Sequence, residues 1–75
     1  PVLKLNDVVA HANGDLYLAT VRGLYMLSAG SSEWVKIASD SFGDVEIYNI
    51  LVTDSNPNVL WLNTASGVFT YTIGQ

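Results

Sequence analysis

"DLYLATVRGLYML" (residues 15–27) and "VLWLNTASGVFTY" (residues 59–71) state one pattern twice in a chain of 75 residues. In each, an aromatic residue and a Leu are followed by a Thr, a Gly three residues later, and a second aromatic two residues after the Gly. Tyr17 and Trp61, Leu18 and Leu62, Thr20 and Thr64, Gly23 and Gly67, Leu24 and Val68, and Tyr25 and Phe69 all stand 44 residues apart. The apolar residues recur at spacing two or run continuously, are rich in Val, Ile, Leu, Tyr and Trp, and lie between clusters of Gly, Asn, Asp and Ser, which reads as strands joined by turns. Helix signals are nearly absent, so the chain is expected to be all-β.

Working outward from these phrases, strands are expected at Val2–Leu5, Val8–His11, Leu16–Thr20, Leu24–Leu27 and Trp34–Ile37, then at Val45–Thr53, Val59–Asn63 and Val68–Thr72, eight in all. Asn13-Gly14 is read as a tight hairpin turn, since both positions tolerate positive φ. A repeat of about 40–50 residues carrying about four strands is the mark of propeller blades, small sheets that cannot cover both faces alone and stack on neighbours. The expected architecture is two four-stranded antiparallel blades in a single domain spanning residues 1–75, the first over about 6–37 and the second over about 45–72.

Two stretches carry a family resemblance. "VTDSNPNVLWLNTASGVFTY" (52–71) resembles a blade of BNR/sortilin-type β-propellers, with an Asp-Ser-Asn-Pro turn ahead of an aromatic strand, a Thr, a Gly and a further strand. "ANGDLYLATVRGLYML" (12–27) is similar to blades of two-component-regulator propellers. "SAGSSEW" (28–34) keeps the Ser, Gly and Trp of the Asp-box but has no Asp, a departure that removes support for sialidase-like chemistry.

The second unit has only three strands after residue 45, whereas "VLKL" (2–5) matches "WVKI" (34–37) in pattern. The expectation is therefore that Val2–Leu5 of one copy supplies the fourth strand beside Val68–Thr72 of the next, a heterologous contact that closes by rotation. Val2, Leu3, Leu5, Val68 and Tyr71 are the expected interface residues. Three copies would make six blades and four would make eight. The alternative is a monomer whose two sheets pack as a small sandwich.

Composition bounds the function. Hydrophobic residues make up 49% and charged residues 13%, with three Lys+Arg against seven Asp+Glu and a net charge of −4. This argues for a folded domain and against a nucleic-acid footprint. A chain this short buries only about 60% of its unfolded surface, and without cysteine it has neither disulfides nor thiolate metal sites. Partner subunits are the remaining reinforcement. No apolar run nears the roughly 20 residues that cross a bilayer, and the N-terminus lacks the layout of a secretory signal, so a soluble protein is expected. The compartment is left open.

Residues able to carry chemistry are few. His11 is the only histidine and has no nucleophile in view, so it reads as a polar residue beside the Asn-Gly turn. Arg22 stands alone where a carboxylate clamp needs several arginines, and reads as a turn residue or an ion-pair partner. Asp40, Asp44 and Glu46 could offer oxygens to calcium, but their spacing fits no EF-hand loop, and a solvated acidic loop is the plainer reading. Tyr17, Trp61, Tyr25 and Phe69 read as packing between blades, with sugar stacking as the functional reading. Thr20 and Thr64 read as turn-closing residues. No catalytic residue, metal site or cofactor is therefore assigned, and an enzyme is not expected. The expected function is structural, a ring-forming subunit of a virion or another large complex. The alternative is a propeller-type binding module, lectin-like or a protein-interaction scaffold.

Overall fold

A computed structural model describes residues 3–37 and 42–74, and among them there is no helix. Seven strands form two antiparallel sheets. The first sheet runs in the order β1 (Leu5–Ala10), β2 (Leu16–Thr20), β3 (Gly23–Leu27) and β4 (Trp34–Lys36). The second runs β5 (Ile47–Thr53), β6 (Asn56–Thr64) and β7 (Gly67–Thr72). Sequential strands are spatial neighbours throughout, as expected for short hairpin connections.

The repeat is structural. Thr20 pairs with Gly23 and Thr64 with Gly67 across equivalent turns. In the first turn the Thr20 hydroxyl donates to the Gly23 carbonyl at 2.8 Å and accepts from the Arg22 amide at 3.0 Å. In the second the Thr64 hydroxyl donates to the Gly67 carbonyl at 2.7 Å and accepts from the Ser66 amide at 3.1 Å. A threonine suits this place because one hydroxyl satisfies a donor and an acceptor that the tight turn would otherwise leave unpaired. Both glycines have left-handed φ, 101° at Gly23 and 117° at Gly67, a region open to glycine at little cost.

The leading strands repeat with a different offset. Asp7 and Val8 pair with Ala19 and Leu18, while Asn49 and Ile50 pair with Asn63 and Leu62, so the first strands of the two sheets correspond 42 residues apart. The β5–β6 hairpin is two residues longer than the β1–β2 hairpin, which accounts for the change to 44. Each leading strand also shifts register at the corresponding place, between Leu5 and Asp7 and between Ile47 and Asn49. Such an extra residue bends the strand and sharpens its twist.

Three expectations are corrected. Val2–Leu5 and Val8–His11 are not two strands: Leu5 already pairs with Thr20, and one strand, β1, runs from Leu5 to Ala10. Val2 lies outside the described residues, and Leu3 and Lys4 precede the strand. The counterpart of this lead-in is not "WVKI". The Lys4 carbonyl accepts from the Val21 amide as the Glu46 carbonyl accepts from the Ala65 amide, so residues 3–5 correspond to 45–47. Finally, Asn13 does not adopt positive φ. Gly14 alone does in this loop, at 97°, and the Asn13 side chain accepts from the Asp15 amide at 2.9 Å, so the connection is a longer Asx-type loop instead of a two-residue turn.

The core lies between the sheets. The first contributes Tyr17, Ala19 and Leu24, the second Ile47, Ile50, Leu60 and Leu62, and Phe42 closes one end from the connection between them. The Tyr17 ring lies 6.3 Å from that of Tyr71, and the Phe42 ring 6.2 Å from that of Phe69. Polar bonds tie the leading strands together at the same seam. The Asp7 carboxylate accepts from the Ile50 amide at 2.9 Å, and the Asn6 amide donates to the Ile47 carbonyl at 2.9 Å and to the Glu46 carboxylate at 3.1 Å.

Candidate functional site

Side chains of paired strands share a face, and alternate residues take opposite faces. In the first sheet, Val9, Tyr17 and Met26 share one face with Asp7, Ala19 and Leu24, and this face packs into the core. In the second sheet the corresponding residues are Leu51, Trp61 and Thr70 with Asn49, Asn63 and Val68. They face outward. The core-forming face of the second sheet carries Ile50, Leu62, Phe69, Leu60 and Tyr71. Its counterpart on the first sheet, Val8, Leu18, Tyr25, Leu16 and Leu27, lies outside that core. The two sheets therefore meet through unlike faces: the second leaves exposed the face that its twin buries, whereas on the first sheet the remaining face has Val8 exposed, Leu16, Tyr25 and Leu27 half-buried, and Leu18 buried.

Exposure makes the contrast plain. Tyr17 and Leu24 are 3% and 0% exposed, whereas their counterparts Trp61 and Val68 are 45% and 65% exposed, with Leu51 at 65%. Around these residues the outward face forms an open concavity of about 580 Å³ lined by Asn49, Leu51, Thr53, Trp61, Asn63 and Val68. None of the six is charged, in a chain of net charge −4. An apolar floor edged by two carboxamides and a hydroxyl has the make-up of surfaces that receive ligands or partner chains.

The residues singled out from sequence fall in several places. His11 Nδ1 accepts from the Asn13 amide at 3.2 Å, and His11 Nε2 lies 2.8 Å from Asn58 Oδ1, so the ring carries its proton on Nε2 and ties the first hairpin loop to the second sheet. Both ring nitrogens are thus engaged. Arg22 is exposed in the β2–β3 turn. Asp44 pairs with Lys36, the Glu46 carboxylate accepts from Asn6, and Asp40 lies outside the described residues. Among the described residues no group of three His, Asp or Glu side chains is placed to hold a metal ion.

Of the expected interface residues, Leu5 and Val68 are exposed. Leu3 is half-buried, and Tyr71 packs inward against Tyr17 on the face opposite Val68. Burial raises the Tyr17 hydroxyl above its ordinary pKa of 10.0, with smaller contributions from Tyr71 and Asp15. Asn49, Leu51 and Asn63 were missed from sequence. The signal that finds them is the repeat itself, read with the offset of each strand, since it maps every one onto a buried residue of the first sheet. Compared with protein-family models, with curated proteins and with solved structures, the chain matches none.

Proposed function

We propose that this chain is a non-enzymatic structural or assembly subunit that associates with itself, its two sheets acting as propeller-like blades in a homo-oligomeric ring. The observation that carries this reading is the uncovered face of the second sheet, Leu51, Trp61 and Val68, whose counterparts in the first sheet are core. Each such side chain contributes about 1.5–3 kcal/mol when moved from water to a covered site, which is a large fraction of the stability of a small domain.

The use of unlike faces supports a stack over a closed sandwich. Two sheets related by a two-fold axis would bury the same face of each and leave equal backs, whereas a rotation that carries the first sheet onto the second leaves one face open at either end. Blades of the BNR/sortilin or two-component-regulator type repeat in this manner, so the resemblance in "VTDSNPNVLWLNTASGVFTY" agrees with it. Three copies would give six blades and four would give eight. Native mass spectrometry of the purified chain tests the reading directly: a discrete trimer or tetramer is expected, and a monomer at every concentration would end it.

A second reading has its own observation. Asn49 and Asn63 flank the exposed indole of Trp61, an arrangement of apolar platform and amide hydrogen-bonding groups suited to a sugar ring. A lectin-like module would show saturable glycan binding with quenching of Trp61 emission, abolished by Trp61→Ala.

A further inference from the structure

The contact between the two sheets of one chain is a template that can be applied again, because its first-sheet half recurs exposed on the second sheet, and its second-sheet half recurs on the first sheet with Val8 exposed and Leu16, Tyr25 and Leu27 half-buried. Resting on the self-association reading above, we propose that the outward face of the second sheet, centred on Leu51, Trp61 and Val68, receives the outward face of the first sheet of another copy, through the exposed Val8 and the half-buried Tyr25 and Leu27, in the relation that the two sheets of one chain already have. The contact between copies is then the internal contact repeated head to tail.

The correspondence extends to polar groups. Within the chain the Asp7 carboxylate accepts from the Ile50 amide. Asn49 occupies the Asp7 place and Val8 the Ile50 place, so the Asn49 carboxamide oxygen is positioned to accept from the Val8 amide of the next copy. In the single chain that amide donates to the side chain of its own neighbour, Asp7, at 2.9 Å. Trp61 takes the place of Tyr17, and Leu27 of the next copy the place of Tyr71.

The lead-in to β1 follows the same rule. Leu3 and Lys4 correspond to Val45 and Glu46, and Val45 packs on the core. Leu3 of the incoming copy therefore lies over the Val68 end of the open face. The N-terminal segment meets Val68 by packing across the seam and not as an added fourth strand of the sheet. Gly67 repeats this point: a Cβ at Gly23 would lie 2.8 Å from the Gly43 carbonyl, whereas the space beside Gly67 is open.

Asn63 replaces Ala19 and Thr70 replaces Met26, so the repeated seam is more polar than the internal one. A buried carboxamide requires a partner, which ordered water at such a seam supplies. The contact between copies is accordingly weaker than the contact within one, and dissociation precedes unfolding.

Complementation of blocked faces tests the proposal. Val68→Lys blocks the second-sheet face and Val8→Lys the first-sheet face. Both positions are exposed in the single chain, and unchanged far-ultraviolet circular dichroism checks that each variant folds. Each variant alone is expected to be monomeric at concentrations where the wild type assembles. Mixed in equal amounts, they are expected to form a dimer of one chain of each kind, because each keeps one competent face. Asn49→Leu, which keeps the apolar floor and removes the proposed acceptor, is expected to shift assembly to several-fold higher concentration. A wild-type oligomer whose mass neither lysine changes would overturn the proposed faces and leave the ring reading standing. A wild type that stays monomeric at the concentrations used for nuclear magnetic resonance would overturn both. A dimer of Val8→Lys alone that ignores added Val68→Lys would mean like faces meet, and would also overturn the proposal.

Discussion

Gly23 and Gly67 show how a repeated residue acquires different duties. Both hold a left-handed backbone that costs a residue with a Cβ about 1–2 kcal/mol, but only Gly23 also lies against a neighbouring carbonyl. Gly67→Ala is therefore expected to lower stability by about that strain alone, and Gly23→Ala by clearly more, as measured by urea denaturation of matched variants. Equal losses would show that the approach of Gly43 relaxes without cost. Tyr17 makes a second case at this scale. Its hydroxyl is held above its ordinary pKa of 10.0 by burial first, then by Tyr71 and Asp15. The unfolded chain thus releases this proton at lower pH than the folded chain, so the stabilising contribution is complete below pH 10 and declines as the pH rises past it. Tyr17→Phe is expected to flatten the alkaline limb of a stability-against-pH curve, and an unaltered limb would assign the loss to another group.

Among the strands, the pairs that share a fold position but differ in cover make the sharpest comparison. Leu24 and Val68 begin β3 and β7 at equivalent places, yet Leu24 has no exposure and Val68 is the more exposed of the two by far. Leu24→Ala is expected to cost about 2–5 kcal/mol, the usual range for emptying a core site, and Val68→Ala well under 1 kcal/mol in the dissociated chain. Thermal melts at low protein concentration separate the two. How much of this was legible from sequence follows from the kind of signal each element gives. The Thr and Gly turns were plain, because a left-handed glycine and a hydroxyl three residues apart leave a local signature. The leading strand was not. Asn6 and Asp7 look like a break between two short strands, but their polar side chains bond to the Glu46 carboxylate and to the Ile47 and Ile50 backbone, so they lie within a strand and satisfy the sheet beside it. The open face was hidden for a further reason. Leu51, Trp61 and Val68 have the composition of core, and alternation identifies the two faces of a strand without saying which one is covered.

For the whole molecule, the way the two sheets meet through unlike faces determines what the proposed self-association would build. Under the proposed head-to-tail contact, every added copy would present again the same pair of unlike ends, and growth would stop only when the rotation returns to its start. A closed ring and an open fibre thus differ only in that angle. Trp34 lies on the outward face of the first sheet and Trp61 on the outward face of the second, 40% and 45% exposed, with the Trp34 ring 6.3 Å from that of Tyr25. They are the only two tryptophans in the chain. Indole emission, ordinarily read as an indicator of unfolding, should in this protein respond first to concentration. The spectrum of the dilute chain should move blue as the chain is concentrated, with backbone dichroism unchanged. Chemical unfolding of the dilute chain should move it the opposite way, to the red, since each tryptophan is still more than half covered in the single chain. Light absorbed at these two rings would thereby tell the joining of molecules from the parting of sheets by the direction in which its colour moves.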